Sequence, residues 1–138
     1  GYTYFRDDDV LLAKVTPCFE NGKSGLAKNL ENGIGFGSSE FFVLRANPDR
    51  VLPEYIYYII NSNRFICEGT PQMTGTGGLR RLTKDFVLNY PVSLPPLDEQ
   101  RKIVNQTEEE IAIVEKNKRL IDIFEKKIND KISEVWGE

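Results

Sequence analysis

From Leu97 to Trp136 apolar residues recur at three- and four-residue steps, at Val104, Ile111, Val114, Ile121, Phe124, Ile128, Ile132 and Val135. That is the period of one helix face. No Pro interrupts the run and the only Gly follows it, at position 137, so the pattern predicts one unbroken helix over 97–136. At 1.5 Å per residue this is a rod of roughly 60 Å. Pro95 and Pro96 stop what precedes, and Asp98 and Glu99 sit where a helix N-terminus favours negative charge.

Ahead of that rod the periodicity is short and broken by turns. Val10 to Val15 reads as a buried strand, Phe41 to Arg45 as a second, and residues 24–30 as a weak one. Pro17, Asn21-Gly22 and Glu31-Asn32-Gly33 separate them as turns. Ile34 to Glu40 reads as a glycine-rich turn, in which Gly35 and Gly37 allow positive φ or a close approach to the backbone. Ile56, Ile59 and Ile60 follow Pro53 at helical spacing and predict a helix over about 53–61, with a second, short one near 62–68. Tyr55, Tyr57 and Tyr58 are assigned to the core and flank of that helix. Residues 70–82 read as a flexible loop, 83–86 as a helical turn, and Val87 to Leu94 as a closing strand. The expectation is an α+β chain: a small mixed-sheet domain over 1–96 and a long helix over 97–138.

The helical stripe is charged at two positions, Lys118 and Glu125. In a parallel pair of identical helices each would meet its own copy. In an antiparallel pair centred between Ile121 and Asp122, Lys118 lies opposite the second copy's Glu125, and Ile111 opposite its Ile132. The sign of the charges therefore selects an antiparallel coiled-coil homodimer.

Composition narrows the chemistry. There is no His, which removes His-based triads and His metal sites. Cys18 and Cys67 have neither disulfide-framework nor metal spacing and are expected as reduced cytosolic thiols. No stretch approaches the roughly 20 apolar residues of a membrane span, and no signal-peptide layout opens the chain. The net charge of −3 belongs to the helix, because residues 1–96 hold ten basic and ten acidic side chains. A neutral domain lacks the broad basic footprint of a nucleic-acid binder, though it can still carry a local basic face.

Asp7-Asp8-Asp9 reads as a solvated turn rather than a metal site, since adjacent side chains on an extended segment diverge. Gly35 and Gly37 lack the Gly-Lys-Ser/Thr ending of a phosphate loop. The loop bearing Thr74, Thr76, Arg80 and Arg81 is the most function-like stretch, because polar, Arg-bearing loops on a scaffold are suited to recognition. Arg80 and Arg81 are the leading candidates for DNA contact, with guanidinium geometry fit for guanine edges and phosphates. Lys14, Lys23, Ser38 and Ser39 rank second.

Five blocks together resemble one family. They are Asp9 to Lys23 (DVLLAKVTPCFENGK), Gly33 to Arg45, Pro53 to Ile60, Met73 to Leu82, and Asn89 to Val104 (NYPVSLPPLDEQRKIV). In this order they resemble the specificity subunits of type I restriction-modification systems. The resemblance implies a target recognition domain followed by a conserved spacer helix. Family members carry two of each, with the helices paired antiparallel. It also implies that the opening portion of a complete recognition domain lies outside this chain.

The implied role is to read double-stranded DNA in the cytoplasm for a modification (methyltransferase) subunit and a restriction (motor-nuclease) subunit. The modification subunit is expected to dock on the helix flanks. S-adenosylmethionine, ATP and Mg belong to those partners, so this chain is expected to bind no cofactor and to be no enzyme. Asn89-Tyr90-Pro91-Val92 is similar to the Asn-Pro-Pro-Tyr motif of adenine methyltransferases only superficially, since the order differs. The neutral charge of residues 1–96 leaves one competing reading, an α+β interaction module with a dimerising helix and no DNA contact.

Overall fold

The computed structural model describes residues 1–137. It divides into two units, Gly1–Arg101 and a second from Lys102 onward. The first is mixed α and β, and the second is helical throughout.

The centre of the first unit is a three-stranded antiparallel sheet. In it β2 (Asp9–Ala13) lies between β3 (Ser24–Leu26) and β5 (Phe41–Arg45). Val10 faces Leu26 on one side and Leu44 on the other, and Leu12 faces Phe42. These residues share one face, since side chains alternate along a strand. Helices α1 (Pro53–Ile60) and α2 (Asn63–Gly69) supply Ile60 and Phe65, so Val10, Leu12, Phe19, Ile60, Phe65, Met73 and Leu82 form one buried cluster. The ring of Phe65 packs edge-on against Phe19 and Tyr90, with centroids 6.1 and 4.8 Å away. Ser62 caps α2 by accepting from the Phe65 amide. Tyr57 packs on the core, while the Tyr55 hydroxyl donates to the Ser93 carbonyl at 3.1 Å.

Three segments differ from the sequence reading. The glycine-rich stretch is a strand, β4 (Ile34–Gly37), paired antiparallel with β1 (Thr3–Arg6). Its glycines serve packing: a Cβ on Gly35 would stand 2.5 Å from the Phe5 ring, and one on Gly37 2.9 Å from Phe41. The supposed flexible loop is a hairpin of β6 (Met73–Thr76) and β7 (Leu79–Leu82). Its two-residue turn is Gly77-Gly78, with φ of 64° and 79°, the left-handed pair that matches strand twist in a tight hairpin. The expected closing strand is absent. Thr83 instead caps α3 (Lys84–Asn89) by accepting from the Phe86 amide, and Phe86, Val87 and Tyr90 pack on the core at helical spacing. Two smaller differences stand beside these. The weak strand shrinks to three residues, and β2 ends at Ala13 because Lys14 to Thr16 turn to pair with β7.

Asp9 is also not in a solvated turn. It is 1% exposed and held by Arg45.

The long helix, α4 (Leu97–Trp136), has the predicted bounds. Its first turn belongs to the first unit, where Gln100 is fully buried. The Gln100 Oε1 accepts from the Leu52 amide at 3.0 Å, and its Nε2 donates to the carbonyls of Arg50 and Pro95 at 2.9 and 2.8 Å. Gly137, with φ of 73°, ends the helix by donating to the Ser133 carbonyl. Along the stripe Val104 is buried, whereas Ile111, Val114, Ile121, Phe124, Ile128, Ile132 and Val135 are 43 to 74% exposed. Lys118 and Glu125 are exposed as well. Ile113 and Leu120, also exposed, lie within about 40° of Phe124 around the helix.

Candidate nucleic-acid interface

The β6–β7 hairpin is joined to the sheet by backbone. The Leu82 amide donates to the Lys14 carbonyl at 2.7 Å and the Thr16 amide to the Arg80 carbonyl at 2.9 Å. The chain that leaves β2 therefore bridges β7, with Val15 opposite Arg81. This fixes the position of the hairpin, whose outer strand carries exposed Thr74 and Thr76.

Arg80 and Arg81 are neighbours on a strand, so they point to opposite faces. Arg81 meets Glu40: its Nε and one terminal nitrogen donate to the two carboxylate oxygens, each at 2.9 Å. Glu40 is tied at its own backbone, its amide donating to Ser38 Oγ at 3.0 Å and its carbonyl accepting from the Lys14 amide at 3.0 Å. The Lys14 ammonium lies 5.0 Å from the centre of the Phe42 ring and its charge also acts on Glu40. Arg81 and, more weakly, Lys14 hold the Glu40 carboxyl below its ordinary value, against a smaller opposing effect of burial. The Arg81 guanidinium is correspondingly pushed up by the same pair. Thr74 sits directly across the ladder from Arg81.

Arg80 belongs to a different cluster. It donates to Glu20 Oε1 at 3.0 Å, and Thr16 Oγ1 lies 3.3 Å from that same oxygen. The other Glu20 oxygen is buried with no protein partner.

The structure thus brings Lys14, Ser38 and Arg81 to Glu40, with Thr74 across the ladder from Arg81, and ties Arg80 to Glu20 instead. Lys23, Ser39 and Thr76 are exposed at the turn before β3, in the turn before β5 and at the hairpin end. Sequence reasoning passed over Glu20 and Glu40, whose partners lie 60 and 41 residues away. Only spatial pairing reveals such contacts.

Among the described residues, no group of three or more His, Cys, Asp or Glu is placed to hold a metal ion. No described helix is long and apolar enough to cross a membrane.

The family model for the type I restriction modification DNA specificity domain matches residues 3–134. The chain belongs to this family. Two similar proteins are the type I restriction enzyme EcoAI and EcoEI specificity subunits of Escherichia coli, 41% and 42% identical over 104 residues. In each case the match covers 75% of this chain and 18% of the relative. The type I restriction enzyme StySPI specificity subunit of Salmonella potsdam is 26% identical over 136 residues, covering 94% of this chain and 26% of that protein. The chain therefore spans about a fifth to a quarter of the length of these curated relatives. No solved structure matches significantly. Within the specificity family, the matched region takes in both the sheet-bearing unit and nearly all of α4.

Proposed function

We propose that this chain recognises double-stranded DNA as a specificity component of a type I restriction-modification complex. The match to the specificity family across residues 3–134 carries the reading. The geometry supports it with a two-stranded ribbon, fixed at its base and exposed along Thr74 and Thr76, with Arg81 and Lys14 beside it. A ribbon of this kind fits a DNA major groove. In this reading Arg81 touches bases, Arg80 touches bases or phosphates, Lys14 and Lys23 touch phosphates, and Ser38, Ser39, Thr74 and Thr76 contribute neutral hydrogen bonds.

The chain catalyses no step. It positions DNA in the cytoplasm for the modification and restriction subunits, which bring S-adenosylmethionine, ATP and Mg. Helix α4 pairs antiparallel with a second copy along Ile111, Ile121, Ile128 and Ile132. The modification subunit docks on the helix flanks.

One observation favours a second reading, an interaction module without DNA contact: both candidate arginines already hold carboxylates. Replacing Arg80 and Arg81 together by Ala in the assembled complex separates the two. Under the DNA reading, affinity for duplex falls at least tenfold, on the scale of one to two lost charged contacts. Unchanged affinity rejects the assignment of these residues.

A further inference from the structure

Glu40 is an acidic residue at the middle of a surface whose other candidate members are basic or neutral. An acid there opposes phosphate, so its presence calls for a physical account.

Its placement is fixed. The amide is held by Ser38 Oγ and the carbonyl by the Lys14 amide, both at 3.0 Å, so the backbone carries the carboxylate to Arg81. The pair is two-pronged, with both contacts at 2.9 Å. It engages Nε and one terminal nitrogen, an edge that a phosphate or a guanine would otherwise take. Lys14 is the second cation acting on the same carboxylate. The local charge is therefore one positive unit with Glu40 in place, and two without it.

We propose that Glu40 is a specificity-determining residue that masks Arg81 from DNA phosphates. The inference rests on the DNA reading above. A phosphate that displaces Glu40 leaves a free carboxylate beside the DNA backbone, which repels it. A G·C pair presents a different pattern in the major groove, two acceptors on guanine beside the N4 donor of cytosine. An arginine and a carboxylate side by side can satisfy both parts at once. The mask thus suppresses binding to arbitrary sequence and leaves base-specific contact permitted.

The test is filter binding of a random-sequence duplex by the full chain as wild type, Glu40→Gln, Arg81→Ala and the double variant, across a salt series. Glutamine keeps the shape and removes the charge. The mask predicts that Glu40→Gln binds random duplex about tenfold tighter near 0.1 M salt, with a log–log salt slope steeper by about one. It predicts that Arg81→Ala abolishes the gain, so that the double variant binds random duplex no tighter than Arg81→Ala alone. Wild-type binding with an unchanged Glu40→Gln slope overturns the mask and leaves the DNA reading standing. So does a double variant that keeps the gain of Glu40→Gln over Arg81→Ala. Absence of salt-dependent binding in every variant, Glu40→Gln included, overturns the DNA reading and the mask with it. A change in fold caused by Glu40→Gln would persist in the double variant, whereas the mask requires Arg81→Ala to abolish the gain.

Discussion

Asp9 and Arg45 face each other across the β2–β5 ladder, joined by two hydrogen bonds of 2.7 Å. The Arg6 amide adds a third at 2.8 Å to the same carboxylate. Asp9 is 1% exposed and Arg45 44%, so the acid end of the pair is buried. The Arg45 hydrogen bonds hold the Asp9 carboxyl below its ordinary value of 3.8 and outweigh the opposing effect of burial. A carboxyl lowered on folding contributes stability that is present above its unfolded value and is lost as pH falls through the folded one. Urea unfolding should therefore show wild-type stability dropping below about pH 4. Asp9→Asn should cost about 2–4 kcal/mol at neutral pH and flatten the acid limb. Equal acid slopes in the two proteins would contradict this role.

Gln100 should be as important to the helix start as any apolar residue there. It satisfies the Leu52 amide and the carbonyls of Arg50 and Pro95 from a fully buried position. Gln100→Leu removes all three partners at little change in volume and should destabilise by about 2–4 kcal/mol. A loss under about 1 kcal/mol in chemical denaturation would show that water replaces the side chain.

Gly35→Ala should destabilise through the ring it meets, since its Cβ would stand 2.5 Å from Phe5. The expected cost is about 1–3 kcal/mol. Combining it with Phe5→Leu should recover part of that loss, because the smaller side chain vacates the space. Additive losses in the double variant would place the effect elsewhere.

The elements with a strong single period were legible in the sequence: β2, β5, α1, α2 and the whole of α4. Glycine was the main source of error. Gly35 and Gly37 suggested a turn or a close approach; the close approach holds, since they make room for Phe5 and Phe41, but inside a strand pair. Gly77-Gly78 suggested flexibility, yet it closes a tight hairpin. Val87 to Leu94 looked like a strand because Val and Tyr favour strands, but Thr83 capping and core contacts at Phe86, Val87 and Tyr90 imposed a helical turn. The candidate site was half legible. Lys14, Ser38 and Arg81 do meet at Glu40, but that carboxylate and the separate pairing of Arg80 with Glu20 depend on residues distant in sequence.

Helix α4 leaves Ile111, Ile121, Ile128 and Ile132 between 43 and 57% exposed, a stripe that needs a cover. If that cover is an antiparallel second copy, Lys118 meets its Glu125 twice per dimer. Lys118→Glu should then weaken dimerisation about three- to tenfold, as expected for two exposed charge pairs turned repulsive, and adding Glu125→Lys should restore it. Light scattering that finds the wild-type chain monomeric at tens of micromolar would end this account of the helix.

Salt-dependent filter binding measures whether duplex DNA is held through a small set of cationic contacts. The chain is titrated with duplex from low to moderate salt, alone and with the modification subunit. The expected affinity falls linearly on a log–log plot with a slope of about −2 or steeper, from two or more phosphate contacts. Binding with no salt dependence, or no binding in either condition, would contradict it.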